Sequence, residues 1–242
     1  MLQLTILPTA QSAGNYDFAG KTAVVIDVLR ATSVITTALA NGAISVFPAG
    51  SIDDAWAEHR RNNNEGLVCG EKDAVKIQEF HLGNSPLEFT PEKVGGKKLV
   101  LLTSNGTHAI RACSKADRIL ILSFLNLEAV SAVLQQMNGQ VVVVCSGTNG
   151  NFSLDDGLCA GMLANRIRSN TSTWCDLSQV LALFAAAEGH NPEEALRRCY
   201  HVNYLKDKGF GEDVSYCLRT GVFNFVPVWK DGLIESDEFR TQ

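Results

Sequence analysis

The chain lacks most of the features that would assign it to a simple class. Seven cysteines are present among its 242 residues, but there is no CxxC pair and no His spacing suited to zinc. The number is odd and several lie in apolar runs such as VVVVC. They read as small buried hydrophobes in a reducing compartment, not as a disulfide framework. None opens a Cys–Arg phosphate loop, which argues against a cysteine-dependent phosphatase. No run of Lys or Arg offsets the formal charge of −5, so general binding to a phosphate backbone is not expected. No apolar stretch nears the roughly 18 residues of a membrane span. The opening MLQLTILPTA has neither a basic lead nor a long apolar core. A cytoplasmic protein without nucleic-acid or membrane partners is expected. No low-complexity linker or charge boundary divides the chain, so residues 1–242 read as one catalytic domain.

What is present is an alternation. Hydrophobic residues make up 45% and charged residues 19%, ordinary for a globular enzyme that buries a large core. Short Val/Ile/Leu runs at 22–27, 43–47, 66–71, 97–103, 118–123 and 140–148 predict strands. Between them, helical patterns run over 33–41, from Ser51, from about Thr107, over 126–137 and over 155–168. Ser51 with Asp54 three residues later resembles a capping box, and Gly42 is a helix stop. Continuous apolar strands imply helices on both faces of a mainly parallel sheet. The expected fold is therefore a three-layer α/β/α domain with a mixed, mostly parallel sheet and a helical C-terminal section. Strand–loop–helix units extend to about 170, and a helix-rich section covers 171–225. Residues 226–236 are expected to form a hairpin at the sheet edge, because Pro227 disfavours a central strand. The helical faces after residue 170 leave a homo-oligomer as an expectation.

Three segments repeat one pattern: apolar strand, hydroxyl- or Gly-rich loop, helix. They are AVVIDVLRATS, LVLLTSNGT and VVVVCSGTNGNFSLDD. Each places small hydroxyls and free backbone N–H groups at a helix start, where anions are favoured. In open α/β sheets such loops gather beyond the carboxyl ends of the strands. Acidic residues fall at the same level: Asp27 and Glu71 end strands, and Asp155 and Asp156 open the helix after the longest polar loop. Oxygen ligands of this kind suit Mg²⁺, which takes one or two carboxylates together with phosphate oxygens. Each also has a plainer reading, as a helix cap, a first-turn charge or a solvated pair with a neighbour such as Lys72. Arg30 reads equally as a surface charge or an oxyanion clamp. His81 and His108 are polar neighbours or proton donors.

Taken in order, DVLRATS, GE at 70–71, GNSP at 83–86, TSNGT and SGT…FSLDD resemble the 2-phosphosulfolactate phosphatase family. The resemblance runs from about residue 20 to at least 165. It implies a Mg²⁺-dependent phosphoric monoester hydrolase of coenzyme M biosynthesis, releasing 3-sulfolactate and phosphate from the small anionic substrate 2-phospho-3-sulfolactate. It implies Asp27, Glu71, Asp155 and Asp156 as catalytic and metal-binding residues. It further implies an anion pocket lined by Arg30, Thr32, Ser33, Asn84, Ser85, Ser104, Asn105, Thr107, Ser146 and Thr148. A phosphatase or transferase for another small 2-phosphorylated acid, or a non-catalytic binder of anionic metabolites, stays open beside it.

Overall fold

The computed structural model describes residues 1–237. Among these residues eleven strands form one sheet: β1 Leu2–Leu7, β2 Thr22–Ile26, β3 Ser45–Pro48, β4 Leu67–Lys72, β5 Val75–Lys76, β6 Lys98–Leu102, β7 Arg118–Leu122, β8 Gly139–Cys145, β9 Thr171–Trp174, β10 Val226–Lys230 and β11 Leu233–Asp237. Their order across the sheet is β5-β4-β6-β3-β11-β10-β7-β2-β8-β1-β9. Strands β4, β6 and β3 pair in parallel, as do β7, β2, β8, β1 and β9.

Alternation along the central strands fills two cores. Val24, Ile26, Leu120, Leu122, Val141 and Val143 point to one face, under the helices Leu127–Gln135, Leu154–Arg166 and Asp176–Glu188. Val25, Ile119, Ile121, Val142 and Val144 point to the other, under Ala31–Ala40 and Gly106–Ala112. The expected three layers are present. Ser51 caps the helix Ile52–Arg61 by accepting from the Asp54 N–H at 3.1 Å. Three strands, β1, β5 and β9, went unread in the sequence. LQLTIL at the start is β1, which lies between β8 and β9 and pairs with both. TSTW is β9, too short and polar to stand out.

The hairpin at 226–236 forms but is not at an edge. Strands β10 and β11 run antiparallel to β7 and β3 and join the two parallel blocks. Pro227 is tolerated there because β10 pairs with β7 only at Val228 and Trp229, beyond the proline. Four strands separate β6 from β2, about 24 Å if the sheet were flat. Yet a Cβ built on Gly106, four residues past β6, would stand 2.6 Å from Asp27 Oδ2. The sheet curls until the ends of both blocks meet.

Candidate active site

A cavity of about 50 Å³ opens where the loops after β2, β4, β6 and β8 converge, and residues from the helix Tyr200–Asp207 close it. Asp27, Arg30, Glu71, Asn84, Ser104 and His201 line it, with Asn105, Thr148, Asn149 and Tyr204 around them. All four acidic residues expected at the site are buried. Their surroundings give them different work.

Asp27 follows β2 directly. The Thr32 hydroxyl donates to the Asp27 carbonyl at 2.8 Å, and that of Ser33 to the Val28 carbonyl at 2.8 Å. Thr32 and Ser33 therefore shape the loop and do not line the cavity. The Ala31 N–H donates to Asp27 Oδ1 at 3.2 Å, and no hydrogen bond reaches Oδ2 among the described residues. Glycine at 106 lets the next helix start against that free oxygen, since a Cβ there would also meet Ala31 Cβ at 2.5 Å. Burial raises the Asp27 carboxyl to about 7; the His201 charge and the Ala31 bond oppose this, while Asp155 and Glu71 add to it.

Asp156 joins two strand-end loops. Its Oδ1 accepts from the Val28 N–H and its Oδ2 from the Gly147 N–H, both at 2.9 Å. Burial, then the charges of Asp155 and Asp27, push its carboxyl well up against those two bonds. Replacing Asp156 by Ala leaves two buried N–H groups without partners, at about 1–3 kcal/mol each. Urea unfolding is expected to show a lower midpoint at unchanged slope.

Asp155 accepts from Ser153 and, at 3.7 Å, from the Cys199 thiol; its Oδ2 lies 3.2 Å from His201 Nδ1. Burial pushes Asp155 up, but the charge and hydrogen bond of His201, with that of Ser153, hold it below the usual carboxylate range. His201 is the mirror case. Burial pushes it down, and the Asp155 charge and bond, with Asp27, outweigh this and hold it above its ordinary value.

Glu71 anchors the β4–β5 turn. Its Oε1 accepts from the Ser104 N–H at 2.7 Å; its Oε2 accepts from Ala74 N–H at 2.7 Å and Ser104 Oγ at 3.2 Å. Arg30 is no surface charge: it is buried, donates to Asp213 Oδ2 at 2.6 Å and to the Ala74 carbonyl at 3.2 Å, and stacks 4.0 Å over the Phe210 ring. Ser85 donates to the other oxygen of Asp213 at 2.7 Å, so it holds the arginine's partner. Thr107 bonds within its own loop to Thr103, and Ser146 donates its N–H to the Ile26 carbonyl at 2.8 Å. Neither lines the cavity. Asn84 does, with a buried Oδ1 that has no partner among the described residues. His81 accepts from the Val68 N–H at 2.9 Å in an aromatic cluster with Trp56 and His59, and His108 is exposed. Among the described residues, no three His, Cys, Asp or Glu side chains stand together as a ready metal centre.

The sequence model of the 2-phosphosulpholactate phosphatase family matches residues 8–232. The chain belongs to this family. A relative from Clostridium perfringens strain 13, named "Probable 2-phosphosulfolactate phosphatase", is 38% identical over 240 residues, covering 98% of this chain and 97% of its own. One of the same name from Thermotoga petrophila is 41% identical over 220 residues, covering 90% and 93%. A third, from Caldanaerobacter subterraneus subsp. tengcongensis, is 37% identical over 232 residues, covering 95% and 96%. As a member of the phosphatase family, the chain is a phosphoric monoester hydrolase. No described helix is long and apolar enough to cross a membrane.

Two side chains central to this phosphatase site were not singled out in the sequence. His201 lies in YHVNYLKD, where it reads as one polar residue of an amphipathic helix. Asp213 reads as first-turn charge on the helix Gly211–Cys217. Only the packing of the C-terminal helices against the strand ends pairs them with Asp155 and Arg30.

Proposed function

We propose that the chain hydrolyses 2-phospho-3-sulfolactate to 3-sulfolactate and inorganic phosphate with Mg²⁺ as its cofactor. The substrate comes from the names of the relatives. The observation that carries the chemistry is His201, held by Asp155, in the wall of the same cavity as the unbonded oxygen of Asp27.

The donor chemistry fits a hard divalent cation. Five buried carboxylates, Asp213 included, meet two cationic groups among the described residues, and one of these, Arg30, is already paired with Asp213. Asp155, Asp156 and Glu71 accept hydrogen bonds at both oxygens, so Asp27 is the residue to hold the ion. One protein carboxylate suffices where substrate phosphate oxygens complete the shell. When bound, Mg²⁺ supplies positive charge to the phosphoryl oxygens.

The chain does the rest. Arg30, fixed by Asp213 and Phe210, presents a planar guanidinium to an oxyanion of the substrate. The loop at Thr148–Asn149, Asn84 and the start of the helix Gly106–Ala112 supply neutral donors. His201, with Nδ1 on Asp155, turns Nε2 to the leaving oxygen and protonates it as the P–O bond breaks. Water is the attacking group, because position 29 is Leu and the second carboxylate of an aspartyl-phosphate DxD pair is missing.

Phosphate release from 2-phosphosulfolactate, 2-phosphoglycolate, 2-phospholactate and p-nitrophenyl phosphate, with Mg²⁺ and with EDTA, tests this reading. The expected result is preference for phosphosulfolactate, lost in EDTA and restored by Mg²⁺. Equal turnover in EDTA would remove the cation. Preference for another acid would move the substrate. No turnover on any compound would favour a non-catalytic binder.

A further inference from the structure

The two ends of the sheet are finished differently. One end is β5, a two-residue strand carrying Lys76 and folded back as a hairpin, a form that resists further pairing. The other end is β9, Thr171–Trp174, with no charge and no proline. Its outer edge is unpaired among the described residues, and Ser172 and Thr173 are exposed. Beside it runs the helix Asp176–Glu188, which has no charged residue between its first and last positions. Val180 and Leu183, at helical spacing i and i+3, are 60% and 67% exposed, and Ala186 and Ala187 extend the same face. A groove of about 450 Å³ separates strand and helix, lined by Arg168, Ser172, Thr173, Trp174, Gln179 and Leu183.

We infer that this face pairs with a second copy of the chain, β9 against β9 across a two-fold axis. An antiparallel pair is its own complement, so one sequence supplies both sides of the ladder. Centring the axis on Ser172 sets that residue opposite its own copy and Thr171 opposite Thr173 of the partner subunit. The same register carries Arg168 to the neighbourhood of Asp176 of the partner subunit. Neither Arg168 nor Asp176 makes an ion pair among the described residues, so the two charges complement each other only between copies. The axis also brings the exposed stripes at Val180 and Leu183 together, and the sheet runs on unbroken from one copy into the next.

Light scattering on the full-length protein at micromolar concentration is expected to give twice the chain mass of 26.2 kDa. Thr173→Pro, which breaks the ladder, and Leu183→Glu, which charges the stripe, are each expected to give monomers with unchanged circular dichroism. Arg168→Glu is expected to weaken the dimer at least tenfold, and adding Asp176→Arg to restore it. A monomeric wild type overturns the inference. So does a dimer that withstands both Thr173→Pro and Leu183→Glu, which would place its contact elsewhere. Should Thr173→Pro fail to fold, Leu183→Glu and the charge pair decide, since all three positions are on the surface. Capture of an extended peptide by a monomeric wild type would assign the edge to a different occupant.

Discussion

Replacing Asp27 by Asn is expected to lower turnover about 10³-fold or more, and to raise the melting temperature in chelator-treated buffer at pH 8. Both effects have one origin. The carboxylate sits in a buried site with Asp155 and Glu71 as like-charged neighbours, and its pKa rises from the ordinary 3.8 to about 7. The folded chain therefore holds a proton at Asp27 through a pH range where the unfolded chain has lost it. That contribution is fully present below pH 3.8 and falls away as pH rises through about 7. At pH 8 the wild type keeps a buried charge that Asn does not carry. Asn can still accept from the Ala31 N–H. The gap in melting temperature should close on acidification towards pH 4, with each kcal/mol worth about 2–4 °C in a chain of this size. An inactive variant that melts at or below wild type at pH 8 would mean that the carboxylate is not a source of strain. The stereochemical course at an isotopically chiral phosphoryl group adds the remaining distinction: one displacement by water must invert phosphorus, and retention would replace it by two displacements through an aspartyl-phosphate on Asp27.

His201→Gln is expected to cost about 10²–10⁴-fold on an alkyl phosphate. The loss should be far smaller on p-nitrophenyl phosphate, whose phenolate leaves without a proton. The contrast separates a proton donor from a residue that merely packs the site, because a packing defect slows both substrates alike. Asp155→Asn gives a second readout. The Asn oxygen can still accept from His201 Nδ1, so the ring stays oriented, but the charge that held its pKa up is gone. The alkaline limb of kcat/KM, where His201 loses its proton, is expected to move to lower pH. An unmoved limb would assign that titration to another group.

Much of the architecture was legible because burial on both faces writes itself as continuous apolar runs. Strands β2, β6, β7 and β8 fall within three residues of where TAVVID, KKLVLLT, RILILS and QVVVVCSGT predicted them. Strand β9 carries no such run, because TSTW pairs with one strand among the described residues and its Ser172 and Thr173 are exposed. The hairpin was misplaced for a specific reason: Pro227 bars a ladder bond only at its own position, and β10 joins β7 beyond it. At the site, the order of the acidic loops indicated which carboxylates would gather. It did not separate the one with a free oxygen from the three that hold loops or His201, because identical side chains differ only in which N–H groups approach them. His201 and Asp213 lie far along the chain from their partners, and their signals are those of ordinary helix-surface residues.

The hairpin wedged between the parallel blocks has a consequence for how the molecule is made. During synthesis β10 and β11 leave the ribosome after every strand they join and after every side chain of the cavity wall. Until then β3 and β7 each present an unpaired edge, and no backbone ladder joins the half-sheet that carries the loop after β6 to the one that carries the loop after β2. The longest-range ladder contact, Ile234 with Val46, can form only once residue 234 has been made. A nascent chain can hold two half-sheets early, but the ladder that joins them across the phosphatase fold waits for residues 226–237.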